Sequence, residues 1–278
     1  MALVTIKARG SNLPYLLQCP RTYVERCRMD DTGTGGPSNA AADTGNIFHA
    51  LAAAHHKKQS ITVALKLAAR KFPLGDQASA AAMYADYKSY APKGAVSVEE
   101  CLTLEITREI AHEGGALQAY RFLFSGTVDL VHHADPVAAA KADAKPYKQN
   151  IEKGVKYVVV DHKTGRPGGD TMISAHWAQL VLYATIVQVA SGVAPDVRVN
   201  HVRTSTQWDV PLTPASTDAT MTEITARLID IHRGRIPCTP GTGCTYCPLS
   251  FPRCAGGGHV PNANARGTPK VMKPLFST

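Results

Sequence analysis

No run of apolar residues in the 278-residue chain approaches the roughly 20 that a membrane-spanning helix needs. The stretch Met1–Lys7 lacks the charged, apolar and small-residue succession of a signal peptide. No Gly-x-Gly-x-x-Gly follows a strand pattern, which excludes a dinucleotide-binding βαβ unit. No internal repeat is visible. Seven cysteines are present, yet four of them crowd between positions 238 and 254. That is not the spacing of a secreted disulfide framework. These absences lead to the expectation of a cytoplasmic protein with no membrane partner and a cysteine-held metal centre. Acidic side chains are the scarce charge: 22 Asp and Glu stand against 30 Lys and Arg, a net +8 with a pI near 9.1. Such a surplus favours an anionic partner, nucleic acid first and a membrane surface second, with simple solubility as the plain alternative.

What is present reads in thirds. Residues 11–28 open with Ser11, a residue suited to cap a helix, and contain Cys19-Pro-Arg. A Gly/Thr/Ser/Ala loop follows between Asp30 and Asp43. Helical patterns then cover Gly45–His56, 60–72 and 77–90. From Val96 the pattern becomes β, with strands at 98–107 and 120–131 joined near Gly114-Gly115 as a hairpin. Residues 134–154 are polar, alanine-rich and dotted with lysine, and read as an insertion or long hairpin loop. A strand at 156–161, a helix over Met172–Val189, strands at 196–203 and 207–212 and a helix at 214–233 complete the order. The fold class is therefore α/β of the mixed kind: a central mixed sheet flanked by helices. The expected organisation is one domain over 1–254, with a helical portion about 11–92, a core about 96–233, the cysteine cluster 238–254 and a loose tail 255–278.

Within the core, Tyr157-Val-Val-Val-Asp-His-Lys-Thr-Gly165 concentrates the chemistry. A β-branched run leads straight into Asp161 and Lys163, which share one face of the strand because side chains alternate. Gly126-Thr-Val-Asp129 sets a second carboxylate near the end of the strand that comes before it in sequence. If those strands are neighbours, the two acids meet. Two carboxylates about 4 Å apart repel by roughly 4 kcal/mol at an effective dielectric near 20, so a proton or a cation must intervene. Oxygen ligands suit magnesium or manganese. The alternative has Asp129 capping a turn and Asp161 simply pairing with Lys163.

An acid, a gap and then Asp-x-Lys on a strand resembles the PD-(D/E)XK nuclease superfamily. Four further matches resemble its RecB-like branch: Gly45-x-x-x-His49, Gly126-x-x-Asp129, Asp161-His-Lys163-Thr-Gly165 and Gln179-x-x-x-Tyr183. Cys19 with Cys244-x-x-Cys247-x6-Cys254 is similar to the iron–sulfur subgroup, which includes CRISPR-associated RecB-like exonucleases and many phage-encoded relatives. The resemblance runs from Ser11 to Cys254. It implies a restriction-endonuclease-like core in which His49, Asp129, Asp161 and the main-chain carbonyl of His162 hold the metal. Lys163 then orients or helps deprotonate the attacking water, and Gln179 and Tyr183 support the site. Glu100 or Glu105 adds an outer carboxylate, depending on register.

The resemblance also implies a 4Fe–4S cluster on Cys19, Cys244, Cys247 and Cys254, although the gap before Cys254 is one residue longer than usual. A local zinc site on Cys238, Cys244, Cys247 and Cys254 is the competing chemistry. The expected activity is a metal-dependent DNA exonuclease acting on ends or single strands, in recombination, repair or phage DNA processing, with recombination or single-strand-binding proteins as partners. A structure-specific endonuclease and a non-catalytic recombination module are the alternatives. Lys57, Lys58, Lys66, Arg70 and Lys71 on the helical third, and Lys141, Lys145, Lys148, Lys153 and Lys156 around the insertion, are candidates to line a phosphate channel, with ordinary solvated faces as the alternative. His55, His56, His132 and His133 read as surface residues, and Cys27 and Cys101 as small buried or half-buried ones.

Overall fold

The computed structural model describes residues 3–31, 39–111, 115–165 and 170–239. Cys244, Cys247 and Cys254, and the tail after them, lie outside the described residues. Six strands form one mixed sheet: β1 (Val4–Arg9), β2 (Ala95–Ala111), β3 (Leu117–His133), β4 (Tyr157–Lys163), β5 (Asp196–His201) and β6 (Thr206–Asp209). Their order is β1-β3-β4-β5-β6, with β2 also paired to β3. β3 and β4 run antiparallel, β4 and β5 parallel, and β5 and β6 antiparallel. The expected mixed sheet flanked by helices is what the chain builds. β1 was not anticipated, and the hairpin of β2 and β3 is longer than its expected strands.

Eight α-helices accompany the sheet among the described residues: α1 (Leu13–Gln18), α2 (Pro20–Asp31), α3 (Ala40–His56), α4 (Ile61–Lys71), α5 (Gln77–Tyr90), α6 (Pro136–Asp143), α7 (Asp170–Ser191) and α8 (Pro214–His232). Two compact units divide the chain: residues 1–36, 105–124 and 218–278, and residues 37–104 and 125–217.

The second unit carries the candidate site. Val158, Val159 and Val160 of β4 are buried, as befits a strand with neighbours on both sides. α7 packs on β4 and β5, and its Leu180, Val181, Leu182 and Val187 are fully buried. Met172–Ser191 contains no Asp, Glu, Lys or Arg, and although Ser, His, Gln and Thr break it into short apolar runs, its length and mean hydropathy of 1.3 are those of a helix able to cross a bilayer. Its burial against the sheet marks it as a core helix. α3, α4 and α5 pack around Ile47, Phe48, Leu51, Met83 and Tyr87. Each of the three starts on a side-chain cap, from Asn39, Ser60 and Asp76 respectively. The expected insertion loop contains α6. Lys58, in the left-handed region at φ +55°, follows the end of α3, and its ammonium donates to the main-chain oxygens of Asp143 and Lys145. That pins the C-terminal end of α6, where carbonyls lack helical partners.

In the first unit, Arg227 of α8 donates to the carbonyls of Leu16 and Leu17 at 3.0 and 2.8 Å. These are orphan acceptors at the end of α1, so the guanidinium fixes the chain just before Cys19.

Candidate active site

β3 and β4 are neighbours, and Leu130, the residue after Asp129, stands opposite Val160, the residue before Asp161. The two acids therefore come together as the sequence predicts. Asp129 does not cap a turn. Its Oδ2 accepts from the main-chain N–H of His162 at 2.6 Å, and its Oδ1 lies 3.5 Å from His49 Nδ1. Asp161 is 2% exposed and lies 2.8 Å from Lys163 Nζ. The ion pair of the alternative reading is thus present, but as one part of a larger cluster.

His49 reaches this point because α3 comes in close. A Cβ on Gly45 would stand 2.5 Å from Thr164 Oγ1, just beyond β4. The bare glycine lets the helix approach, and His49 follows one turn later on the same face. Gly126 does the same for α7: a Cβ there would overlap the ring of Tyr183. Gln179 Nε2 donates to the Tyr183 hydroxyl at 3.0 Å. Burial pushes that hydroxyl up in pKa, so it stays protonated.

The carboxylate added by β2 is neither Glu100 nor Glu105. Glu100 pairs with Lys57 at 3.2 Å and Glu105 with Arg121 at 2.7 Å. It is Glu99 that accepts from His49 Nδ1, at 2.8 Å. Glu99 sits at φ +50°, a conformation that side chains rarely adopt. This irregularity breaks the two-residue alternation, so counting along the strand could not select Glu99. Two adjacent glutamates on a strand near the acid pair were the only signal.

Electrostatics follow from this crowding. Burial would lower the His49 pKa, but Asp129, Glu99 and Asp161 together raise it to about 9. Burial pushes the Asp129 carboxyl up to about 7, with Asp161 and Glu99 adding to the rise and His49 and Lys163 opposing it. Lys163 is pulled down by burial, yet Asp161 and Asp129 hold it above the ordinary lysine value. It is a cation at neutral pH and has no lone pair with which to take a proton. His176 of α7, which the sequence reading passed over, lies near enough for Lys163 and Asp161 to act on its ring. Burial and Lys163 hold it below the usual histidine value.

His162 uses its main chain on the site and its side chain elsewhere. The ring packs edge-on against Phe48 and Tyr87, with centroids 5.9 and 5.0 Å away, and Nδ1 meets the Asn200 amide at 3.1 Å. Other histidines depart from expectation as well. His56 is buried, bonds the Tyr87 hydroxyl at 2.6 Å, and is pushed by burial down to about 3. His132 is buried too. A surface reading fails for both, because aromatic and strand neighbours cover them. Cys101, expected to be at least half-buried, is exposed, and Cys27 is half-buried. Several lysines of the expected channel are already engaged: Lys57 with Glu100, Lys58 with α6, and Lys156 with Asp196 at 2.8 Å.

The residues fit a divalent cation. One ligand atom each from His49, Glu99 and Asp129 lie within 4.8 Å of one another, with Asp161 close enough to act on His49. Oxygen donors with one imidazole suit magnesium or manganese. An ion here would replace the proton that otherwise holds these carboxylates together.

In the first unit, Cys19 precedes α2 and is buried. The N–H of Thr239 returns across 220 residues to donate to its sulfur at 3.5 Å. Burial would raise this thiol, but the N–H groups of Thr239, Thr22 and Arg21 and the Thr22 side chain bring it below the ordinary value.

Comparison with known proteins gives the following. No curated protein matches the sequence. Among solved structures, the chain is similar to a Eubacterium rectale protein provisionally described as an exonuclease. Identity is 10%, the match covers 95% of this chain and 90% of that one, and the TM-score is 0.46. The family model of the PD-(D/E)XK nuclease superfamily matches residues 11–254, the span that holds every element of the site. The chain belongs to the PD-(D/E)XK nuclease superfamily.

Proposed function

We propose that this chain is a metal-dependent deoxyribonuclease of the RecB-like branch, working as an exonuclease on DNA ends or single strands. The carrying observation is the convergence of His49, Glu99 and Asp129 beside the Asp161–Lys163 pair. His49, Glu99, Asp129 and Asp161, with the carbonyl of His162, would hold magnesium or manganese. Such an ion, when bound, neutralises charge on the scissile phosphate and acidifies a water. Lys163 orients that water as a hydrogen-bond donor and offsets the negative charge that grows on phosphorus. Asp161 holds the ammonium in place. Tyr183 and Gln179 back the site from α7 and keep its wall rigid. In-line attack forms a bond from water oxygen to phosphorus and breaks the bond to the 3′-oxygen, leaving a 3′-hydroxyl and a 5′-phosphate. Recombination, repair or phage DNA processing in the cytoplasm is the setting this reading carries with it.

Cys19 is the distant ligand of a 4Fe–4S cluster completed by Cys244, Cys247 and Cys254. The supporting observation is the return of Thr239, which leads into the cysteine-rich segment, to the Cys19 sulfur. Bound there, the cluster closes a loop of more than two hundred residues and acts as a structural staple. Protein purified without oxygen is then brown with broad visible absorbance, and Cys19→Ser loses the colour. A colourless protein that keeps bound zinc in Cys19→Ser establishes the local four-cysteine site instead. For the mode of cutting, covalently closed circular DNA is the discriminating substrate: an exonuclease leaves it intact, and an endonuclease opens it.

A further inference from the structure

α4 presents apolar side chains to solvent, and nothing among the described residues receives them. Val63 and Leu67, four apart and so on one face, are 53% and 60% exposed, and Leu74, just past the helix, is 56% exposed. Among the described residues these are three of the seven large hydrophobics left exposed, and the other four are scattered along the chain. Clustered exposure of this kind marks a contact surface, whereas single exposed residues are ordinary. The same helix has no acidic residue, and Lys66, Arg70 and Lys71 are all exposed. Its buried side is already used on α3 and α5, through Ala68 with Leu65 and Ala64 beside it. The surface therefore combines apolar anchors with unopposed positive charge.

We propose that α4 docks an acidic protein segment carrying apolar side chains. Charge complementarity selects this occupant. A second copy meeting α4 across a two-fold axis would set Lys66, Arg70 and Lys71 against themselves. Nucleic acid would use the basic residues but leave Val63 and Leu67 facing phosphate and water. An acidic peptide with apolar anchors satisfies both halves of the surface, as helix-in-groove and acidic-motif recognition do elsewhere. The site is separate from the nuclease centre, so the inference stands apart from the proposed activity.

The test uses the full chain and a fluorescein-labelled peptide in which Leu and Phe alternate with Asp and Glu. A control peptide carries Asn and Gln at the acidic positions. Fluorescence anisotropy is expected to show saturable binding of the acidic peptide, about tenfold or more weaker for the control, and weakening as ionic strength rises. Leu67→Ser and Arg70→Glu each lower affinity by about tenfold while circular dichroism stays unchanged, because both side chains are exposed, and Leu67→Ser leaves the nuclease rate unchanged. Equal binding of the two peptides, or wild-type affinity in either variant, overturns the proposal. So does vesicle co-sedimentation on phosphatidylserine, or a dimer seen by ultracentrifugation, that Leu67→Ser abolishes while no peptide binds.

Discussion

The main-chain N–H of His162 donates to Asp129 Oδ2 across 2.6 Å. Asp129 thereby reads the position of the strand that carries Asp161 and Lys163. The hydrogen bond is short, and it favours the ionised form of the carboxyl that burial otherwise pushes toward protonation. It also leaves Oδ1 turned toward His49. The His162 ring, clamped by Phe48, Tyr87 and Asn200, holds the peptide that donates. Replacing His162 by Ala is expected to weaken metal affinity by about tenfold, the lower end for outer-shell supports, although the ring touches no metal ligand through a hydrogen bond. Calorimetric titration with manganese measures this, and an unchanged affinity would separate the ring from the site.

Glu99 gives a second prediction. Its φ of +50° is costly for any side chain but easy for glycine. Glu99→Ala and Glu99→Gly both lose the carboxylate and with it most metal affinity. They differ in backbone cost, so the glycine variant is expected to be the more stable by about 1 kcal/mol. Thermal unfolding without metal reads the difference directly. An alanine variant at least as stable as the glycine one would mean the position is not strained.

Gly126 and Tyr183 form a third pair. A Cβ at 126 overlaps the Tyr183 ring, which is 2% exposed and has nowhere to retreat. Gly126→Ala is therefore expected to cost about 1–3 kcal/mol from overpacking. Adding Tyr183→Ala frees the space, so the double variant should be more stable than the sum of the two single losses. Additive losses would show that the two residues do not press on each other.

Acid–base behaviour follows from His49. Its folded pKa, about 9, lies above the ordinary histidine value near 6.5. In metal-free protein this contribution to stability is full below about 6.5 and is lost as pH rises through about 9. Asp129, raised to about 7, acts in the same direction at lower pH: its contribution is full below about 4 and is lost as pH rises through about 7. The metal-free melting temperature should therefore fall from weakly acidic pH to pH 9. Metal binding runs the other way, because His49 must release its proton to become a ligand. Apparent manganese affinity should rise up to tenfold per pH unit between about 7 and about 9, more steeply below about 7 where Asp129 must also ionise, and level off above about 9. His49→Ala should bind manganese weakly with a much flatter pH profile; an unchanged profile would remove His49 from the site.

Much of this arrangement was legible in the sequence, for identifiable reasons. Asp129, Asp161 and Lys163 lie on strongly apolar strands that are consecutive in sequence and pair antiparallel across the long connection that holds α6. Gly45 and Gly126 stand out in the sequence only as positions of the family motifs; the structure shows them where Thr164 and Tyr183 come close. Glu99 was hidden because a single left-handed residue shifts the register that separates it from Glu100. The burial of His56 and His132 was hidden because it depends on Tyr87 and on neighbouring strands, contacts that no local spacing reports. β1 was missed although Val4, Ile6 and Ala8 alternate with polar and basic residues; six residues are short against the helical pattern that follows.

His49, Glu99, Asp129, Asp161 and Lys163 are proposed to form a metal-dependent centre that cuts DNA. Its most direct test is release of label from end-labelled linear DNA with manganese or magnesium, by the wild type, Asp161→Ala and Lys163→Ala. Degradation is expected that chelation stops and that both variants lose by at least about a hundredfold. Degradation unaffected by chelator, or undiminished in both variants, would contradict it.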